Sequence, residues 1–341
     1  MTQETQAGPQ AQPRADELRA LLNTPGGRTV LLDGSRDPNS GVTVLLTAPG
    51  AAEPHLAVKI ATTALAAEVI EREAAVLAEL ERRPLGRVEH TLPRHTGTFE
   101  VDGMLAVVAT VVPGVPMRTE YHAFRHVARP ASVRADFAAA QRWLTALQDD
   151  SGSGSTPISM IDGVAERITA RWPADHAAAL AAELGQLAAR LARSAVPRTV
   201  VHGDFWAGNL LVTGEEVTGV VDWAAGEMSG DPLRDVARFA LSYSLYLDRH
   251  TRPGRPVSGH PGLRADGWGA GIRYAITGQQ WFGAVVRDFV ADALVRLGAP
   301  ADLWRDVLLA GLGEIAATAD HPDFAARHRD LLLDLISEGP L

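Results

Sequence analysis

The stretch from Val200 to Asp235 constrains the chain more than any other: V-V-H-G-D-F-W-A-G-N-L-L-V-T-G-E-E-V-T-G-V-V-D-W-A-A-G-E-M-S-G-D-P-L-R-D. Val200 and Val201 form an apolar β-type run that breaks at His202-Gly203-Asp204 into a tight loop ending near Asn209. Two further apolar runs, Leu210 to Val212 and Val217 to Val221, flank the turn residues Thr213-Gly214-Glu215-Glu216. Short apolar runs alternating with turn residues specify a β-hairpin. Antiparallel pairing then brings Asn209, just before one strand, to Asp222, just after the other, with Asp204 in the adjoining loop. Two carboxylates and a carboxamide converging at strand ends make an oxygen-ligand site for a hard cation such as Mg2+. Turns select Asp and Asn in any case, so the convergence carries the argument rather than any single side chain.

Composition narrows the partners. The chain has 341 residues, 46% of them hydrophobic, enough for a large core divided between two lobes. It contains no cysteine, which excludes disulfides, thiolate metal sites and cysteine nucleophiles and fits a reducing compartment. Met1 to Arg14 is polar and lacks the apolar core of a secretory signal, and no apolar run reaches the length needed to span a bilayer. A cytoplasmic protein with no membrane partner is therefore expected, as a monomer or homodimer. A formal net charge of -9 argues against a nucleic-acid partner held by phosphate neutralisation. Acidity can attract a cationic small molecule, though solubility explains it as well. Of the 32 lysine-plus-arginine residues only Lys59 is lysine. A chain that otherwise meets its positive-charge needs with arginine singles out Lys59 as a position wanting a compact charge on a flexible stem.

Periodicity supplies the order of elements. Residues 1–13 are rich in Gln, Pro and Thr and are expected to be disordered. Asp16 to Leu22 reads as a short helix. Strands are expected at Thr29 to Leu32, Val42 to Thr47 and Leu56 to Ile60, followed by an amphipathic helix over Leu65 to Glu81 with Leu65, Val69, Val76, Leu77 and Leu80 on its apolar side. Strands near Thr98 to Val101 and Leu105 to Val112 complete a small α+β lobe, residues 14–112, with an antiparallel sheet and one helix. Val112-Pro113-Gly114-Val115-Pro116 breaks the pattern, and 113–116 reads as a hinge. Residues 117–341 form a larger, mainly helical lobe. Its helices are expected at Ala131 to Gln148, Ile161 to Trp172, Asp175 to Ser194, Leu233 to Asp248, Gly271 to Leu297, Asp302 to Ala317 and His321 to Ser337, with a Gly/Ser linker at Ser151 to Ser155 and a long loop over Thr251 to Gly267.

His202-Gly203-Asp204, Asn209 five residues later, Val221-Asp222-Trp223, and Gly230-Asp231-Pro232-x-x-Asp235 together resemble the aminoglycoside phosphotransferase and choline kinase family. The Asp-to-Asn spacing is that of the kinase catalytic loop. The resemblance covers nearly the whole chain and implies a two-lobed protein-kinase-like fold and a small-molecule kinase using ATP or GTP with Mg2+. Asp204 would accept or orient the proton of the substrate hydroxyl, Asn209 and Asp222 would hold the metal, and His202, Asp231 and Asp235 would brace the loop. Ala57-Val58-Lys59 matches the strand lysine that holds the nucleotide phosphates, and among Glu68, Glu71, Glu73 and Glu79 the context Arg72-Glu73-Ala74-Ala75 makes Glu73 its expected partner. Backbone groups around Ala109 and Val111 would read the base, with Val58, Leu211 and Val221 as apolar walls. The chain departs from the kinase pattern at Gly34 to Gly41, which contains no G-x-G-x-x-G, so Ser35 is the phosphate contact expected there without a motif behind it. For the acceptor, a small hydroxylated molecule with cationic ones among the options, the candidates are Phe205, Trp206, Glu227, Asp248, Asp266, Trp268, Tyr274 and Trp281; aromatic rings with carboxylates suit an aminoglycoside, an amino alcohol or a sugar.

Two other classes compete. A non-catalytic nucleotide-binding pseudokinase scaffold is opposed by the joint presence of Lys59, Asp204, Asn209 and Asp222. A metal-dependent hydrolase built on His202, Asp204 and Asp222 wants more histidine ligands, and His176 and His250 lack ligand-like spacing. Protein kinase activity is opposed in turn: no A-P-E-type segment follows Asp222, and Trp223-Ala224 stands where Phe-Gly would.

Overall fold

A computed structural model of the chain describes residues 25–32, 41–101, 103–172 and 177–338. The expected tail at 1–13, the helix at 16–22, His176, and the 34–41 loop with Ser35 (Gly41 apart) lie outside the described residues. The chain divides into two compact units, Met1–Ala78 with Pro93–Val111, and Glu79–Leu92 with Val112–Leu341.

In the first unit β1 (Arg28–Leu32), β2 (Val42–Thr47), β3 (Leu56–Ile60), β4 (His95–Val101) and β5 (Met104–Thr110) form one antiparallel sheet in the order β1-β2-β3-β5-β4. Period-two alternation sorts the side chains. Val44, Leu46, Val58, Phe99, Ala106 and Val108 pack into one core. Lys59, one residue out of phase with Val58 and opposite Val107 in the ladder, falls on the other face. That second core holds Val107 together with Ala66, Ile70 and Ala74 of helix α1 (Ala64–Leu80). Leu65, expected on the apolar side of this helix, is 45% exposed; the buried stripe begins at Ala66 and Ile70 instead. An alanine can close against a sheet where a leucine cannot, and hydrophobicity alone does not show that.

The second unit carries the helices α2 (Met117–Tyr121), α3 (Pro130–Ser151), α4 (Val164–Arg171), α5 (Ala177–Leu191), α6 (Leu233–Leu245), α7 (Ala270–Thr277), α8 (Trp281–Arg296), α9 (Trp304–Thr318) and α10 (Pro322–Ser337). It also holds two three-stranded sheets. In one, β6 (Val115–Pro116) and β10 (Glu216–Val220) flank β9 (Leu210–Thr213); in the other, β7 (Ser153–Pro157) and β11 (Glu227–Gly230) flank β8 (Ala195–Val201). The Gly/Ser segment expected as a linker is thus largely a strand, β7, paired with β8. The residues read as a hinge include β6, which pairs with Val212 and Leu211. Glu79–Leu92 groups with this unit although sequence order puts it in the first lobe. Trp143 Nε1 donates to Thr91 Oγ1 at 2.9 Å, and Arg87 reaches Asp149 and Asp150 on α3. The single helix expected over Gly271 to Leu297 is two, because Gly278 turns extended (φ -76°, ψ 135°). A Cβ on Gly283 would meet Gly278 O at 2.3 Å, so the two glycines let the break close tightly. The core is aromatic: Phe137 touches Phe239, Tyr243 and Phe289 edge-on, with ring centroids 4.9–5.2 Å apart.

Candidate active site

In the first unit Lys59 Nζ donates to both carboxylate oxygens of Glu73, at 2.8 and 2.6 Å. Glu68 and Glu71 are exposed and Glu79 pairs with Arg82 and Arg83, so of the four candidate glutamates only Glu73 meets the lysine. At the far end of β3 and β5, Val111 N–H donates to His55 O at 3.0 Å, and Ala109 lies in the ladder between Ala57 and His95. Val58, expected as an apolar wall, is wholly buried in the sheet core.

In the second unit the loop after β8 is hung from α6. Asp235, in the first turn of α6, accepts from His202 N–H at 2.7 Å and from Gly203 N–H at 2.8 Å, one amide on each oxygen. Burial pushes the Asp235 carboxyl above its ordinary range, with His202 and the two amides pulling the other way. Gly203 has φ +79°, and a Cβ there would meet Ala225 O at 2.2 Å, so only glycine fits this turn. His202 Nδ1 accepts from Asp204 N–H at 3.2 Å, which puts the ring hydrogen on Nε2, facing Val221 O at 2.9 Å. His202 is therefore a brace between the loop and the end of the hairpin, as the sequence implied, and Asp231 plays a similar part with Ser159 and Leu233 amides.

The Asp204 carboxylate receives two hydrogen bonds, from Arg238 Nε to Oδ1 at 2.9 Å and from Asn209 Nδ2 to Oδ2 at 3.1 Å, and Arg238 Nη2 lies in ion-pair contact with Oδ1 at 2.6 Å. Asn209 Nδ2 also donates to Asp204 O at 2.9 Å, so the amide is oriented with its oxygen turned away from the aspartate. The hairpin closes as expected: Leu210 pairs with Val220, and Val221 N–H donates to Asn209 O at 3.0 Å. Asp222 follows, exposed and in the left-handed region (φ 66°, ψ 60°), one of two non-glycine residues with positive φ among those described. A buried amide with its oxygen presented, beside an exposed carboxylate, is a donor set that suits a hard divalent cation.

The residues expected around an acceptor do not all gather here. Phe205 is fully buried and stacks on Trp143 at 5.2 Å, so it is core. Trp206 is half-buried beneath the Arg118 guanidinium, 5.7 Å from its ring. Glu227 is paired with Arg234, which also binds Glu314 at 2.5 Å. Asp266 is exposed and paired with Arg264 at 3.1 Å. Trp268 packs on His328 at 4.7 Å between ring centroids, near Phe324. Tyr274 OH donates to Pro261 O, and Trp281 Nε1 donates to Gly259 O while its ring stacks on His260, so both serve the 251–267 loop. Asp248 lies beyond the C-terminal end of α6 with its carboxyl raised by burial. Arg238 was missed. Its only sequence signal was its place three residues after Asp235, on the same face of the helix expected over Leu233 to Asp248.

A strand lysine paired to a buried helix glutamate, a loop bearing Asp204 and Asn209, and a hairpin delivering Asp222 define a phosphotransferase with a kinase-like fold. The chain belongs to the phosphotransferase enzyme family, whose profile matches residues 37–269. Among solved structures it is similar to a thermostable mutant of the aminoglycoside phosphotransferase APH(4)-Ia in ternary complex with AMP-PNP and hygromycin B, at TM-score 0.54 and 14% identity over 95% of this chain and 98% of that one. A further thermostable mutant of the same enzyme, with ADP and hygromycin B, gives TM-score 0.51 and 14% identity over 92% and 95%. The macrolide 2'-phosphotransferase MphH from Brachybacterium faecium gives TM-score 0.49 and 14% identity over 93% and 95%. At 14% identity the likeness to the two aminoglycoside phosphotransferase structures is one of fold. No curated protein matches the chain in sequence. Among the described residues no helix is long and apolar enough to cross a membrane.

Proposed function

We propose that the protein is a kinase that transfers the γ-phosphate of ATP or GTP to a hydroxyl of a small acceptor: an aminoglycoside-like molecule, an amino alcohol or a sugar. The observation that carries this reading is the state of Asp204. Its Oδ1 takes the Arg238 hydrogen bond and ion-pair contact while Oδ2 receives one long bond from Asn209, so Oδ2 is the oxygen better placed to accept from a substrate O–H. In the step, the acceptor oxygen bonds to the γ-phosphorus, its proton passes to Oδ2, and the bond to the β–γ bridging oxygen breaks to release the diphosphate. Lys59, fixed by Glu73, would pair with the nucleotide phosphates, and Ala109 and Val111 backbone groups would meet the base. Asn209 Oδ1 and the Asp222 carboxylate would hold Mg2+, which when bound offsets phosphate charge. The AMP-PNP and ADP complexes of similar folds support a nucleotide as donor.

The test is an ATP-consumption screen over aminoglycosides, amino alcohols and sugars with Asp204→Ala as the blank. One acceptor class should drive consumption, and the variant should lose it while still binding Mg·AMP-PNP. Equal turnover by the variant would remove Asp204 from its role; no nucleotide binding by the parent protein would favour a different class altogether.

A further inference from the structure

The Arg238 side chain is 26% exposed; its Nε–H donates to Asp204 Oδ1 with Nη2 in ion-pair contact with the same oxygen, and among the described residues the guanidinium makes no other hydrogen bond. Two of the three carboxylates considered for acceptor binding are already paired with arginines: Glu227 with Arg234, which also holds Glu314, and Asp266 with Arg264. Both are about half exposed, 47% at Glu227 and 54% at Asp266, so pairing weakens their pull on a cationic acceptor without cancelling it. Asp248 has no ion pair among the described residues, but it lies past the C-terminal end of α6, about two turns or more from Arg238. A second arginine, Arg118, lies over the Trp206 ring and donates its backbone N–H to Ala207 O at 2.8 Å, so two guanidinium groups border the catalytic loop.

We infer that Arg238 selects an acceptor bearing an anionic group, a carboxylate, close to the hydroxyl that is phosphorylated: the acceptor is a hydroxy acid, sugar acids included. The inference rests on the phosphotransferase reading of this site. The guanidinium fork matches a carboxylate in geometry, and placed between Asp204 and the acceptor's charge it screens the repulsion that two adjacent carboxylates would otherwise suffer. The net charge of -9 does not oppose this, because at physiological salt fields decay over about 8 Å and the local arginines decide.

Two matched acceptor sets test it: glucuronate, glucose and glucosamine, and 4-hydroxybutyrate, 4-hydroxybutyramide and 4-aminobutanol, each assayed with Mg·ATP. In at least one set the anionic member should lead in kcat/KM by about 10-fold or more, the size of one charge-assisted contact. Arg238→Gln should reduce that lead to less than about 2-fold, mainly through KM, and Arg238→Lys should keep part of it. The ratio is read rather than the rate, since loss of the guanidinium also loosens Asp204. A lead by the neutral or cationic member in both sets, an anionic lead that survives Arg238→Gln, or no turnover of any of the six overturns the inference. Failure of the phosphotransferase reading is separable: it appears as no binding of Mg·AMP-PNP to the parent protein on the same preparation.

Discussion

Lys59 presents its ammonium to both oxygens of Glu73 from a side chain 26% exposed, against 7% for its partner. The partial exposure lets water screen the pair, so its worth to stability is small beside its worth as a positioning device. Glu73→Ala is expected to cost about 1–2 kcal/mol in urea unfolding, discounted for that exposure. The same change should lower turnover about 100-fold, because an untethered lysine no longer holds its ammonium where phosphate charge develops. Lys59→Ala should lower turnover at least as far. Unaltered kinetics in both variants would reduce the chain's single lysine to coincidence. Arg238 and Asp204 show the complementary case, in which one guanidinium holds one carboxylate oxygen and, in the proposed step, leaves the other to accept the proton.

At the scale of elements, the catalytic loop is positioned less by its own sequence than by α6 behind it. Asp235 accepts both amides of His202-Gly203, and Gly203 turns where no side chain fits. Gly203→Ala should destabilise the protein by about 1–3 kcal/mol and reduce kcat more than KM, since the turn aims Asp204. Wild-type stability with an unchanged kcat would mean that the turn relaxes freely. Helix α10 carries a pH effect. Burial is the main cause that depresses His328 to about 4, and Arg238 adds to it while a bond to Phe324 O opposes it. Its unfolded value is 6.5, so between pH 6.5 and about 4 the unfolded chain takes up a proton that the folded one refuses. Stability contributed by neutral His328 is complete above pH 6.5 and lost as pH falls toward 4, up to about 3 kcal/mol in all. Denaturant midpoints of the parent and His328→Gln across that window should differ in slope; identical slopes would show that His328 titrates normally.

For the whole molecule, a ligand that binds only the folded state raises its stability by mass action. Mg·AMP-PNP at 100 times its Kd should add about 2.7 kcal/mol and raise Tm accordingly, and a chelator should reverse most of the shift if Asn209 and Asp222 hold the metal. A shift indifferent to chelation would exclude that pair as ligands. What could be read beforehand at this scale follows from local rules. Alternation fixes the strands, so β2, β3 and the hairpin of β9 and β10 fall where their apolar runs predict, and a two-residue turn at Gly214-Glu215 brings Asn209 to Val221 without help from elsewhere. The lysine, the choice of Glu73 and the loop-bracing roles of His202, Asp231 and Asp235 rest on short-range spacing together with the family resemblance. The misreadings involve partners distant along the chain. Ser153–Pro157 becomes a strand only because β8 offers an edge, Glu79–Leu92 joins the second unit through Trp143, Asp149 and Asp150, and Gly278 breaks a helix because Gly283 packs on its carbonyl. The acidic and aromatic acceptor candidates were judged by residue type, yet Glu227, Asp266, Tyr274 and Trp281 are bound to Arg234, Arg264, Pro261 and Gly259. By itself the sequence determined which residues stand at the ends of the hairpin and along β3, because strand periodicity and turn chemistry act over a few residues. Only the tertiary structure decided that Arg238 closes on Asp204 and that Glu227 is already paired with an arginine, because an ion pair between residues 34 apart depends on how a helix packs behind a loop, and no local pattern encodes that.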